Sequence, residues 1–212
     1  MAGATELQKA LAEINAIRDQ LARGMEFRGY GPGTLAATGI LALLAAAVQA
    51  LWLKHPTHAV DAYLALWVGT AALSLAIIAV ETVARARRVH CGLAMQLIHA
   101  ALEQFLPVIV AGLLLTVVLW RSAPEALWLL PGLWQVLFSL GVFASCRFLP
   151  RPLFAVGLWY LATGLACLVC GGGSEALAPW LMGIPFGVGQ LLVAAVLQFG
   201  YQRHERTDER AS

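Results

Sequence analysis

Phe105 to Trp120 reads FLPVIVAGLLLTVVLW, a run with no charged residue and a single hydroxyl. With a few residues added upstream it reaches the roughly 20 apolar residues that a helix needs to cross the hydrocarbon of a bilayer. What precedes it differs. Over His90 to Gln104, HCGLAMQLIHAALEQ, the polar residues Gln96, His99 and Glu103 fall at i, i+3 and i+7, on one helical face. A carboxylate close to membrane depth is costly, which makes Glu103 a candidate site. Two readings of it stand side by side. Either Glu103 lies near enough to the interface to reach water or an arginine of Arg85–Arg88, or it serves a proton, ion or substrate role with His99 one turn before it. Counting about 20 residues back from Trp120 puts the membrane boundary near Ala101. Glu103 is then only about 3 Å inside it at 1.5 Å per residue.

The rest of the chain repeats the pattern of the opening stretch. Apolar segments occupy about 34–53, 62–81, 101–120, 126–146, 152–170 and 179–200, each close to a span in length. The 212 residues are 60% hydrophobic and 12% charged, with a mean hydropathy of +0.75. Soluble domains are about 25% charged, so a water-exposed fold is a poor explanation. The expected fold is all-α: a membrane bundle of six helices joined by short loops into three antiparallel hairpins. Its parts are an amphipathic helix and Gly/Pro hinge over 1–30, a six-helix domain over 31–201, and a charged tail over 202–212. The first apolar run follows a polar, mixed-charge segment, so the first span itself is expected to serve as the targeting signal.

Charge gives the expected orientation. Lys9, Arg18, Arg23, Arg28, Arg85, Arg87, Arg88, Arg147, Arg151, Arg203, Arg206 and Arg210 fall on one side of a six-span chain, and only Lys54 and Arg121 on the other. This asymmetry puts both termini in the cytoplasm. Trp52, Trp120 and Trp180 sit at the opposite span ends, as interfacial anchors do. The basic residues mark span ends rather than one face, which gives no support to a nucleic-acid partner.

Ahead of the membrane, Leu7, Ala10, Ile14, Ile17 and Leu21 keep the 3-4-3-4 spacing of a coiled-coil seam, and charged residues lie off it. Gly24 ends the helix, and Gly29, Gly31, Pro32 and Gly33 make a hinge. One reading lays residues 6–23 along the membrane surface or the inner loops. The other makes Leu7, Ile14, Ile17 and Leu21 a surface for self-association or for a cytosolic partner.

Within the spans, Thr34, Thr38, Ala42, Ala46 and Ala50 form a small-residue ridge, and Gly183 and Gly187 form a GxxxG pair. Both patterns let helices approach closely in lipid. Pro185, between the two glycines, loosens the local backbone bonding. Gln135 and Gln190 lie near mid-membrane. Pro124 precedes the first, and Pro179 the second, by the same interval of eleven residues, a hint of a repeated hairpin. Such amides either bond between helices or line a polar cavity. Glu81 has Arg85 at i+4 as a partner.

Cys167 and Cys170 form a CxxC inside a helical segment, read as small apolar side chains with a redox pair as the alternative. His55, His58 and Asp61 offer weak metal-ligand spacing around a proline. A b-type haem needs two facing intramembrane histidines, and only His99 is near the bilayer. No nucleotide loop, serine-hydrolase elbow or zinc-protease motif is present. The expectation is therefore a protein without catalytic activity and without a cofactor.

EINAIRDQLARGMEFRGYGPGTLAATGILALLAAA, starting at Glu13, and MGIPFGVGQLLVAAVL, starting at Met182, are similar to a widespread group of small six-span bacterial inner-membrane proteins. LPVIVAGLL (Leu106 to Leu114) and LPGLWQVLFSLGVF (Leu130 to Phe143) also resemble it. The resemblance covers most of the chain and rests mainly on small and apolar residues. It implies a short charged helix leading into the first span, a membrane topology and a bacterial source; it does not imply a function. Two functions follow as expectations. The first is a non-catalytic membrane protein whose helix at 6–23 self-associates or couples to a cytosolic partner. The alternative is a small-solute or proton-coupled permease with a polar site around Glu103, His99, Gln135 and Gln190.

Overall fold

In the computed structural model the chain is all-helical among the described residues, which are 31–54, 56–88, 92–146, 152–173 and 176–211. Side chains are described except at 85–88, 92–102, 104 and 200–211. The helices are α1 (Pro32–Trp52), α2 (Val60–Arg88), α3 (Gly92–Ser122), α4 (Leu130–Ser145), α5 (Leu153–Cys170) and α6 (Pro179–Ala211), and a 3-10 turn over Pro124–Leu129 leads into α4. Each contains a stretch long and apolar enough to cross a membrane: Pro32–Trp52, Val60–Ala84, Phe105–Ser122, Pro124–Ser145, Leu153–Cys170 and Pro179–Phe199. These match the six apolar segments of the sequence, and the chain is a multi-pass membrane helix bundle. An apolar chain in lipid must bond every backbone group internally, which leaves the helix as the economical form. The expected helix at 6–23, with Leu7, Ile14, Ile17 and Leu21, lies outside the described residues.

Two tight helix pairs build the centre. α1 runs against α6, and α4 against α5, with α5 and α6 joining the pairs. α2 lies on α1 and α3 on α4, so these two form the flanks and barely touch each other. The α1–α6 crossing is made of small residues. A methyl on Gly39 would stand 2.9 Å from the Gly187 carbonyl oxygen, and one on Gly187 would strike Leu43 at 2.6 Å. A methyl on Gly183 would collide with Ala46. The GxxxG pair therefore packs into the small-residue face of α1, as its spacing predicts.

The ridge itself drifts. Thr38 and Ala42 are buried, but Ala50 is exposed, and Ala45 and Gln49 replace it on the inner face. Steps of four residues advance a helix by roughly 40° beyond a full turn, so a line of five such positions winds away from its neighbour. At the α4–α5 crossing, Gly132 and Gly164 approach each other's carbonyl oxygens, with room for no side chain. Phe138 of α4 fills the middle, its ring 5.5 Å from Phe105, 4.7 Å from Tyr160 and 5.6 Å from Phe186.

The described parts of the three connections, including Thr57, Pro124 and Leu177, gather at one end of the bundle, here called the Trp end, and Trp52, Trp120 and Trp180 are exposed there. α1 starts, and α2 stops, at the opposite Arg end. Leu73 and Val80 of α2, with Leu106, Val110, Leu114 and Val118 of α3, are exposed along the flanks and form the lipid-facing belt.

Candidate functional site

Gln135 sits halfway down its span and has no solvent exposure. Its position follows from a proline on another helix. A helical carbonyl normally accepts from the N–H four residues on, and Pro185 has none to give to Leu181. The Gln135 Nε2 amide supplies the missing donor, at 2.8 Å from the Leu181 carbonyl oxygen. The same amide donates to the Pro131 carbonyl at 3.0 Å and reaches the Cys167 sulfur at 3.5 Å. The Cys167 thiol is itself 3.6 Å from the Leu181 carbonyl. Three helices, α4, α5 and α6, thus meet on one amide.

A second buried glutamine lies nearby. Gln49, one turn from the end of α1, donates to the Leu177 carbonyl at 2.7 Å and accepts from the Trp67 indole at 2.7 Å. Leu177 has φ of 60°, a left-handed backbone that a branched side chain adopts at a cost. Its side chain is buried with Ala45, Tyr63, Trp67 and Met182. Gln49 thereby fixes the connection between α5 and α6 onto the core. Above it lies a pocket of about 310 Å³, lined among others by Val60, Glu125, Trp128 and Leu177.

Two more indoles tie the hairpins together. Trp134 donates to the Thr116 hydroxyl at 2.9 Å, across α3 and α4, and Trp159 donates to the Pro185 carbonyl at 3.0 Å, across α5 and α6. With Trp67 and Gln49 across α1 and α2, each hairpin carries one indole bridge. Trp120 donates to Asp61 at 3.0 Å and links the flanking helices at the Trp end.

Glu103, Gln135 and Gln190 are not gathered in one place. Glu103 is exposed on α3. His99 and Gln96 belong to the helical backbone of α3, and their side chains lie outside those described. Gln135 is level with Gly112 and Thr116 of α3, because its neighbour Trp134 bonds the Thr116 hydroxyl and a methyl on Gly112 would meet the Trp134 ring. Glu103 is nine residues from Gly112, roughly 14 Å along the axis. Gln190 is half-buried, and its Cβ lies against Gly39 of α1 rather than in the Gln135 cluster. Gln135 and Gln190 therefore occupy unlike settings despite their equal spacing from a proline.

Cys167 is buried with Ala178 and Leu181, and Cys170 is exposed; both are free thiols. His55, Cys91 and the side chain of Arg85 lie outside those described. The sequence pointed to Gln135 but passed over Gln49, Tyr63 and Trp67. The signal for Gln49 was the one that flagged Gln135, an amide within an apolar span. The cluster offers amide, indole, phenol, thiol and carbonyl groups. Such groups can hold helices together or bind a neutral hydrogen-bonding molecule. Compared with protein-family models, with curated proteins and with solved structures, the chain matches none of them.

Proposed function

We propose that this chain is a non-catalytic protein of a bacterial inner membrane, with both termini in the cytoplasm. In this reading the helix at residues 6–23 mediates self-association or couples the membrane domain to a cytosolic partner. The observation that carries it is the use made of the interior polar groups. Gln49, Gln135 and Trp159 each donate to a backbone carbonyl of the segment from Leu177 to Pro185, two of which flank or answer the proline in α6. These bonds make the bundle a fixed scaffold. The coiled-coil seam at Leu7, Ile14, Ile17 and Leu21 then presents the surface through which a scaffold would act. The distribution of Lys and Arg supports the orientation.

Deleting residues 1–24 and measuring mass in nanodiscs, with partner capture from the native membrane, tests the reading. The expected result is a change in oligomeric state or the loss of a bound partner. Unchanged mass and unchanged partners would overturn it. Reporter fusions at Ser212 and within residues 54–58 test the orientation separately.

A further inference from the structure

Two polar atoms inside the Trp-end half of the bundle have no hydrogen-bond partner among the described residues: the Tyr63 hydroxyl and the Gln135 Oε1 oxygen. Both residues are fully buried. In a bilayer such a group has no water to fall back on, and leaving it unbonded is expensive. The two are complementary, since a phenol donates and accepts while an amide carbonyl accepts. Cys167 lies beside Gln135, its sulfur 3.5 Å from the amide nitrogen. Trp134, next to Gln135 in α4, and Met182, next to the Leu181 whose carbonyl takes the amide, both pack in the cluster that contains Tyr63.

Directly above this cluster is the pocket of about 310 Å³ formed where the three connections meet. Val60 and Leu177 line that pocket, and both also pack in the cluster that contains Tyr63. Leu177 is only 2% exposed and stands between pocket and cluster. Its left-handed backbone is held by the Gln49 amide, and Gln49 in turn is held by the Trp67 indole. A side chain kept in an unfavourable backbone state by one buried bond has a lower-energy alternative once that bond opens.

We propose that Tyr63, Gln135 and Cys167 form an interior site for a water-sized neutral molecule with both donor and acceptor capacity, and that Leu177 is the gate between this site and the Trp-end pocket. Neutrality follows from the lining. The site is walled by Trp67, Met182 and Leu181 and offers only neutral groups, so an ion there would have no countercharge. The guest bridges the Tyr63 hydroxyl and the Gln135 carbonyl, and the Gln49–Trp67 pair acts as the latch.

The test uses full-length protein in nanodiscs with Cys167 as the single thiol, Cys91, Cys146 and Cys170 being replaced by serine. Methyl methanethiosulfonate, small and uncharged, is the probe, read by mass spectrometry. Cys167 should react slowly, and Leu177→Ala and Gln49→Met should each speed its reaction by about fivefold or more, the effect of losing one buried bond on a local opening. Val156→Ala, a comparable core cavity in α5 far from the connection, should leave the rate unchanged. An equal rise in Val156→Ala, or no rise in the latch variants, would overturn the gate. Water itself probes the site: magnetisation transfer from water to the Gln135 side-chain amide should appear in the unmodified protein and weaken in Tyr63→Phe. Its absence from the unmodified protein would overturn the site even if the gate variants failed to fold.

Discussion

Replacing Gln135 by Met isolates what the proline of α6 demands from α4. Methionine keeps the length and the unbranched shape, which matters because the Gln135 Cβ packs 3.0 Å from where a methyl on Gly164 would stand. It removes the side-chain amide that donates to the Leu181 carbonyl at 2.8 Å, and the N–H four residues on is missing because residue 185 is proline. Among the described side chains the carbonyl then keeps only the weak Cys167 thiol at 3.6 Å; a fully orphaned buried carbonyl would cost about 1–3 kcal/mol, while interhelical polar contacts in membranes average nearer 0.6 kcal/mol and reach about 1.7. The same substitution deletes the Gln135 Oε1 atom, which has no partner among the described residues, and this offsets part of the loss. The expected net effect is a destabilisation of about 1 kcal/mol. Pro185→Ala restores an N–H at the position that faces the Leu181 carbonyl. In that background Gln135→Met should cost nearly nothing, giving a coupling of about 1 kcal/mol in a double-mutant cycle. Unfolding by SDS in mixed micelles, followed by tryptophan fluorescence, measures all four corners. If Gln135→Met cost the same with and without Pro185, to within about 0.3 kcal/mol, the amide would not be answering the proline, and the reasoning would fail.

Other substitutions separate packing from polar satisfaction. Tyr160 is fully buried, and its hydroxyl has no partner among the described residues, so Tyr160→Phe should raise the thermal midpoint, by the equivalent of about 1 kcal/mol. Gly189→Ala would drive a methyl into the Tyr160 ring and should cost about 1–3 kcal/mol, whereas Gly33→Ala meets open space and should be close to neutral in the same melting assay. Trp67→Phe keeps an aromatic ring beside Tyr63 but takes the donor from Gln49 Oε1; a loss of about 1–2 kcal/mol is expected, measured by the same SDS titration.

The membrane spans were legible because hydropathy and length alone decide them, and loops as short as 123–129 leave only antiparallel hairpins. The α1–α6 contact was half legible. Gly183 and Gly187 announced a close approach, but nothing local in the chain said that the partner would be the first helix rather than the fifth. Gln135 was visible as an odd amide; its acceptor was not, because the need arises from Pro185 on another helix and is met only after packing. Gln49 carries the same chemistry three residues from Trp52, where nearness to the span end disguises how deeply it is buried. Glu103 drew the eye as the carboxylate nearest to membrane depth, yet it lies on the exposed side of a flanking helix. A polar residue in an apolar run signals only that something must accommodate it, and the location of that partner is a property of the fold.

The pairing of the first helix with the last sets a timetable for assembly. α1 leaves the ribosome long before α6, which begins only at Pro179. At about 5–20 residues per second, α1 waits in the bilayer on the order of ten seconds for its partner. During that interval the face bearing Gly39, Ala42 and Ala46 is open to any other helix with a small-residue stripe, including α1 of a neighbouring nascent chain. A chain halted before Pro179 should therefore yield α1–α1 crosslinks from a cysteine placed at Ala42, and a completed chain should not. Biogenesis of this protein depends on keeping its first helix solitary until its last one arrives.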